Sequence, residues 1–222
     1  MNKRMLAVLG AAGLLLSGCI TTSMQGYADR DLPARPIKHI VTYVVAPVAL
    51  APSLQTSIAE EASKNGISSE DAYAILPPTR TYTDADIRKV LNENGVDAVL
   101  IVNVGDGGVV KEYAGTFFQG QYSGTSDANG TMTRSGNVAN LTLSGSSSGT
   151  MTGTATPINR YSRQTTFNAR LIEVTSGRNL WVGSGQVNAG GKLFVGNGAN
   201  ASQTATVIFQ DLRTKKVVGQ TS

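Results

Sequence analysis

One cysteine, Cys19, stands in the whole chain of 222 residues, and it follows an uncharged apolar segment that runs from Met5 to Leu16. Two basic residues precede that segment, and two small residues end it. A basic start, a short apolar core and a small-residue stop are typical of an export signal peptide. The apolar core is well short of the roughly 20 residues that span a bilayer. We therefore expect residues 1–18 to be removed on export.

The junction Leu16, Ser17, Gly18 and Cys19 resembles the lipobox of bacterial lipoproteins, in which the cysteine thiol receives a diacylglyceryl group and the chain is cut before it. The alternative is an ordinary secretory signal with an incidental cysteine. The resemblance implies palmitate-type acyl chains on Cys19, and two or more such chains anchor a protein stably to a membrane. Ile20, in place of aspartate, resembles the default signal for the outer membrane, periplasmic face, of a Gram-negative host.

An acylated Cys19 leaves no thiol for a disulfide, so the body must be stabilised by a hydrophobic core or by oligomerisation. The length suffices for one domain of ordinary size. The net charge of the chain is +4, and two of the positive charges lie in the signal segment, which leaves the mature body near neutrality. No nucleic-acid partner is therefore expected.

The chain after Cys19 is predicted to have two parts, a polar tether over residues 19–36 and one α/β domain over residues 37–222. The tether has no periodic apolar pattern and ends in Pro33-Ala34-Arg35-Pro36, which disfavours helix. Within the domain, residues from about 105 to 156 are rich in Gly, Ser, Thr and Asn. This insertion is predicted to form hairpins at its two ends with a loose middle, and complete disorder is the alternative.

The first half of the domain alternates between strand and helix signals. Strands are predicted at residues 39–46, 73–76 and 98–102, where β-branched and apolar residues cluster. Helices are predicted from Ser53 to Asn65 and from Thr83 to about Asn94, with Ser53 and Thr83 as the capping residues and a glycine after each helix. This order predicts a mixed α/β (α+β) sandwich with helices on one face of the sheet.

The second half of the domain predicts a hairpin followed by a helix. Strands are expected at residues 165–172, where Phe167, Ala169 and Leu171 share one face, and at residues 179–187. A closing helix is expected at about residues 200–212. Trp181, on the second of these strands, is most simply a core or interface aromatic, with ligand stacking as the alternative.

The sequence predicts no catalytic or metal site. Residues 145–149, Gly-Ser-Ser-Ser-Gly, match a nucleophile-elbow pattern, but the only histidine, His39, is far from them in the chain. The glycine-rich stretch at residues 196–201 lacks a following strand and carboxylate for dinucleotide binding, and is better explained as a helix start. One histidine and one thiol are too few for a transition-metal site. We expect no enzymatic activity, cofactor or small-molecule substrate.

A hydrolase site would need convergent carboxylates in a cleft. Clustering of Asp106, Glu112 and Glu173 in a buried pocket would support a hydrolase, whereas carboxylates scattered over the surface would exclude one.

The hairpin from Arg170 to Gly183 reads as an apolar strand, a Thr-Ser-Gly turn and then Trp181 with a small residue nearby. It resembles a hairpin of outer-membrane lipoproteins, among them the curli-secretion channel lipoproteins and the lipoprotein activators of penicillin-binding proteins. Glu173 replaces their usual aspartate. The opening strand, Tyr43 to Pro47, fits the same group. The resemblance implies a small α/β sandwich that recognises partners or assembles.

These observations predict a periplasm-facing module of the cell envelope that is not an enzyme. It is anchored through Cys19 and binds another envelope protein or copies of itself. The alternative is a subunit of an oligomeric secretion pore that uses hairpins from residues 105–156. In that region Phe117, Phe118 and Tyr122 come nearest to the aromatic girdle that lipid-facing strands carry, and are the candidate interaction residues there.

Overall fold

The computed structural model describes residues 20–105, 107–125, 129–135, 138–144 and 148–219. Within these ranges, the structure describes the backbone but not the side chains of Phe118 and of residues 120–153. The signal segment and the lipobox from Leu16 to Cys19 lie outside the described residues. The chain divides into two compact units, the second comprising residues 110–161 and the first comprising the rest.

The described residues form nine strands and four helices. The strands are β1 Ile20–Ala28, β2 His39–Val45, β3 Ser68–Asp71, β4 Ala98–Val104, β5 Val109–Thr125, β6 Asn129–Ser135, β7 Val138–Ser144, β8 Ser148–Glu173 and β9 Asn179–Gly190. The helices are α1 Ala51–Lys64, α2 Ala72–Ile75, α3 Asp84–Glu93 and α4 Asn197–Thr214. The described part of the chain contains no helix whose length and apolar content would let it cross a bilayer.

A seven-stranded mixed sheet organises the fold. Its strand order is β1-β9-β8-β4-β2-β3, and β5 pairs with β8 off this path. β9 pairs antiparallel with β1 and β8, and β8 pairs antiparallel with β4, whereas β2 runs parallel to both β4 and β3. The predicted mixed α+β class is therefore confirmed, as are the predicted strands at 39–46, 98–102, 165–172 and 179–187.

Helices α1 and α4 pack on one face of the sheet, called here the packed face. Leu54, Ile58 and Ala62 recur at four-residue spacing on α1 and are fully buried, as their spacing predicts. The largest buried side chains of this core include Trp181, Phe167 and Phe209. The packed face is thus the main core of the first unit.

Helices α2 and α3 pack on the opposite face, near β2 and β4. Ala72 of α2 and Leu91 of α3 form a second buried cluster with Val41 and Val174. The helices therefore lie on both faces of the sheet, in contrast to the predicted arrangement on one. β2 and β4 are apolar at successive positions, so both of their faces need to be covered.

The predicted tether is wrong over its first half, because residues 20–28 form the edge strand β1. Its partner is β9, from Ile20 opposite Ala189 to Ala28 opposite Trp181. Ile20, Met24 and Ala28 pack against the main core. An edge strand obtains its stability from backbone pairing on one side, so it needs few large apolar side chains and leaves a weak sequence pattern.

The predicted strand at residues 73–76 is also wrong. Residues 72–75 form the short helix α2, and the strand lies earlier, as β3. The Asp71 side chain accepts a hydrogen bond of 2.9 Å from the backbone N–H of Tyr73. This cap satisfies a backbone donor that a helix start leaves unpaired, and it outweighs the strand propensity of the tyrosine.

The second unit consists of strands. Hairpins are predicted at the two ends of the insertion, around residues 112–122 and 150–156, but each of these segments lies within one continuous strand, β5 or β8. The middle, predicted to be loose, forms β6 and β7. These two strands pair antiparallel from Asn129 opposite Ser144 to Ser135 opposite Val138. Threonine alternates with apolar residues in both strands, as Thr-Met-Thr at 131–133 and Leu-Thr-Leu at 141–143, and β-branched residues of this kind favour strands.

Candidate functional site

Part of the second face of the sheet carries none of the described helices of the first unit, and we call the side chains of this part the open face. Strand alternation puts them on the side away from α1 and α4, and the register sets them in rows. The open face comprises Ser23, Gln25 and Tyr27 of β1, Val182, Ser184 and Gln186 of β9, Gln164, Thr166, Asn168 and Arg170 of β8, and Asn103 of β4. All of them are exposed except Gln186, which is half-buried.

The register brings three rows of the open face together. Gln25 lies opposite Ser184, which lies opposite Asn168, and Asn168 in turn lies opposite Asn103. Neighbouring strands are about 4.8 Å apart, so this row of polar groups is about 15 Å long. The rows on either side begin at Ser23 and at Tyr27. The result is a polar patch several strands wide on a rigid sheet.

Amide and hydroxyl groups dominate this patch. Gln25 Nε2 donates to the Tyr27 hydroxyl at 2.6 Å, and Gln164 Nε2 donates to Gln186 Oε1 at 3.2 Å. Amide side chains carry both donors and acceptors. Arg170 supplies the one formal charge of the open face as defined above. The patch is therefore suited to hydrogen bonding with a partner surface, and it contains no acid–base pair.

Trp181, considered from the sequence as a core or interaction residue, lies on the packed face. It is 1% exposed, and its Nε1 donates to Asp211 Oδ2 of α4 at 2.7 Å. Gly26 of β1 lies over this pair, where a Cβ atom would overlap the Asp211 carboxylate. The indole is thus enclosed by three elements, and its chain neighbour Val182 is the one that reaches the open face.

The other predicted site residues are not among the open-face residues. Phe117 is on β5, and its side chain is 58% exposed. Phe118 and Tyr122 are on the same strand, and their side chains lie outside the description. Cys19 also lies outside it, but it is bonded to Ile20, the first residue of β1.

The carboxylates of interest do not form a described cluster. Asp106 lies outside the described residues, Glu112 is exposed on β5, and Glu173 accepts a hydrogen bond from the Ser176 hydroxyl in the turn after β8. Across the described ranges no group of three or more His, Cys, Asp or Glu side chains is placed to hold a metal ion. His39 Nε2 is 3.3 Å from Glu70 Oε1 at the start of β2.

The motifs that resembled catalytic or nucleotide-binding sequences occupy ordinary positions where they are described. Gly196 is the N-cap of α4, so the glycine-rich stretch is a helix start. Residues 145–147 of the serine-rich motif lie outside the described residues. Asp86 completes a capping box with Thr83, whose hydrogen bonds hold the pKa of the Asp86 carboxyl below its usual value.

Comparison with known proteins gives distant structural similarities. No protein-family model matches the sequence, and no curated protein matches it. A PelC dodecamer from Paraburkholderia phytofirmans is similar with a TM-score of 0.40 and 15% identity, over 86% of this chain and 95% of that one. Lipoprotein GNA1162 from Neisseria meningitidis is similar with a TM-score of 0.43 and 16% identity, over 79% of this chain and 99% of that one. The relationship to the curli-secretion channel lipoproteins and to the lipoprotein activators of penicillin-binding proteins remains a prediction.

The open face was missed from the sequence, although its signal is present. Between Gln164 and Leu171 polar residues alternate with Thr165, Phe167 and Ala169. That pattern places a polar set and a buried set on opposite faces. The polar residues of β8 lie beside the polar residues of β1, β4 and β9 only because of the strand order of the sheet. The sequence does not show that order.

Proposed function

We propose that the chain is a non-enzymatic lipid-anchored module of the cell envelope that binds another envelope protein or a second copy of itself through the open face. The observation that carries this proposal is the patch of exposed amide and hydroxyl side chains on β1, β8 and β9. Its anchor is acylated Cys19, and its location is the periplasmic face of the outer membrane.

The chemistry of the open face favours recognition over catalysis. Apart from Arg170 its side chains are neutral, so a partner can approach without desolvating several charges. Rows of amides on a rigid sheet present donors and acceptors at fixed spacing, which lowers the entropic cost of ordering side chains on binding. A general acid or base that works near neutral pH is usually a His, Asp, Glu or Lys side chain, and none of these is among the open-face residues.

The edge of β1 extends this surface. β1 stands at one end of the strand order, and within the described strands it pairs with β9 alone. Its outer backbone groups are therefore available for a strand from a partner or from a second copy. Tyr27, which is 63% exposed, lies beside this edge and supplies an amphipathic contact of the kind enriched in interfaces.

In-cell photo-crosslinking tests the binding surface. A photo-crosslinking amino acid placed at Gln25, on the open face, is expected to capture one specific partner or a ladder of self-adducts. Gln210, an exposed glutamine on α4, is the matched control and is expected to capture neither. Equal adducts from both positions, or none from position 25 in acylated protein, would exclude the open face as the binding site.

The anchor is tested separately with Cys19→Ala. Wild type is expected in the outer-membrane fraction of a density gradient, and the variant is expected to be released or left unprocessed. A wild-type protein that is soluble after export would overturn the lipoprotein assignment.

A secretion-pore subunit is the second candidate, favoured by the strand lengths of the second unit. β5 has 17 residues, and the part of β8 that belongs to the second unit runs from residue 148 to residue 161, whereas a bilayer-crossing strand needs about 9–11. Tyr113 and Phe117 of β5 are exposed. A pore predicts ion conductance by the purified acylated protein in planar bilayers, and Phe117→Arg should abolish it if that ring faces lipid. Protein that gives no conductance would exclude this candidate.

A further inference from the structure

One end of the sheet is defined by the first residue of β1, and we call it the Ile20 end. Ile20 lies opposite Ala189 of β9, and Ala189 lies opposite Arg163 of β8. The register of β8 with β4, and of β4 with β2, directs the carboxyl ends of β4 and β2 toward the same end. The loop after β2 and the turn after β9 therefore meet there.

These two connections carry the most exposed large apolar side chains in the described part of the protein. Val48, between β2 and α1, is 92% exposed, and Leu193, between β9 and α4, is 82% exposed. Lys192, next to Leu193, is exposed as well. Each apolar side chain is unfavourably placed in water, where it contributes nothing to the core.

Hydrogen bonds hold the two connections together. Asn197 Nδ2 donates to the carbonyl of Ala49 at 2.9 Å, which joins the start of α4 to the loop that carries Val48. Arg163, buried to 7% exposure, donates from Nη1 to the Val195 carbonyl at 3.3 Å and to Asn197 Oδ1 at 2.7 Å. Hydrogen bonds thus join the two connections that carry the exposed apolar side chains.

The chain itself indicates what faces this end. Cys19 is bonded to Ile20, so their Cα atoms are about 3.8 Å apart, and acyl chains on Cys19 must leave the protein at the Ile20 end. Since β1 starts at Ile20, no tether separates an acylated Cys19 from the first unit. Apolar side chains beside a basic residue are the composition that binds membrane interfaces.

We infer that Val48 and Leu193 enter the headgroup layer of the leaflet that holds the acyl chains of Cys19, with Lys192 beside the lipid phosphates. This inference rests on the proposed function, since it requires the acylated anchor. Two or more acyl chains suffice for attachment. The added contacts therefore orient the first unit, so that β1 runs away from the membrane and the open face stands along the membrane normal.

Site-directed fluorescence tests the inference on the full acylated chain. Acylation blocks the natural thiol, so Val48→Cys and Leu193→Cys each offer one thiol for the polarity-sensitive label NBD. Tyr27→Cys, near the other end of β1, is the matched control. The labelled proteins are reconstituted into phosphatidylethanolamine–phosphatidylglycerol vesicles with shallow nitroxide lipids, and mass spectrometry verifies acylation first.

The labels at positions 48 and 193 should be quenched at least about twofold, because interfacial side chains lie roughly 5–10 Å into the headgroup boundary. The label at position 27 should be unaffected. Equal, weak quenching at all three positions of acylated protein would overturn the inference and leave the anchor intact. Labels at 48 and 193 that are shielded from water but not quenched would show a protein covering, which also overturns it. An unacylated chain would overturn the proposed function together with the inference.

Discussion

Trp181 and Val182 are neighbours in β9, but Trp181 belongs to the packed face and Val182 belongs to the open face. Trp181 is enclosed on the packed face between β1 and α4, whereas Val182 is 40% exposed among the amides of the open face. The same backbone thus supports a dry core on one side and a hydrated surface on the other. Because the core fixes the backbone, the open-face side chains can vary without loss of the fold, and a binding surface can be built on them.

The largest contrast should come from shortening these two neighbours. Trp181→Ala is expected to lower the free energy of unfolding by about 3–5 kcal/mol, since it leaves a cavity between α4 and the sheet. Val182→Ala should change it by less than about 0.5 kcal/mol. Urea titration followed by circular dichroism measures both, because Trp181 is the only tryptophan and fluorescence is lost with it. Similar losses for the two variants would remove the distinction between the faces.

The same contrast can be tested on β1, where glycine faces the core and glutamine faces outward. Gly26→Ala is expected to cost about 1–3 kcal/mol, because the added methyl group must displace Asp211 or the indole of Trp181. Gln25→Ala should be nearly neutral. Thermal unfolding monitored by circular dichroism distinguishes them, and a neutral Gly26→Ala would mean that β1 is not packed against α4 as described.

The hydrogen bond beneath β1 predicts a graded pair. Asp211→Ala removes the acceptor of the Trp181 N–H and is expected to cost about 1–3 kcal/mol, the range for a buried donor left unpaired. Asp211→Asn keeps a carbonyl acceptor and should recover most of that loss. Urea titrations of both variants, with tryptophan fluorescence as the probe, check the order. Equal losses would show that the carboxylate charge, and not the acceptor, is what the fold needs.

A smaller effect is expected on the second face, where α3 covers the part that is not open. Thr83→Ala removes the side-chain cap of α3 and should cost about 1 kcal/mol. The Thr83 hydrogen bonds also lower the pKa of Asp86 from its usual value of 3.8. Their contribution is therefore present above pH 3.8 and is lost as the pH falls through the lowered pKa.

Acid titration of unfolding free energy checks this point. Wild type should lose more stability than Thr83→Ala in that acid range, because the variant no longer favours the ionised carboxylate. Parallel profiles for the two proteins would contradict the role given to the cap.

Sequence reasoning found the elements whose local pattern is strong. Leu54, Ile58 and Ala62 define α1, and the alternation around Phe167 defines one strand and its buried side. β1 was not predicted because its residues form a strand only through pairing with β9. The open face and the Ile20 end were not predicted for a related reason. Each combines segments that are far apart in the chain and that only the strand order of the sheet brings together.

With Cys19 acylated as proposed, the start of β1 one residue later also restricts the symmetry of any self-assembly. Copies anchored in one leaflet without a flexible linker share one polarity relative to the bilayer. A two-fold axis lying in the membrane plane would invert one copy and withdraw its acyl chains. Rotation about the membrane normal keeps every copy upright, so a closed assembly of acylated chains would have cyclic symmetry, with β1 of every copy running in the same direction relative to the membrane.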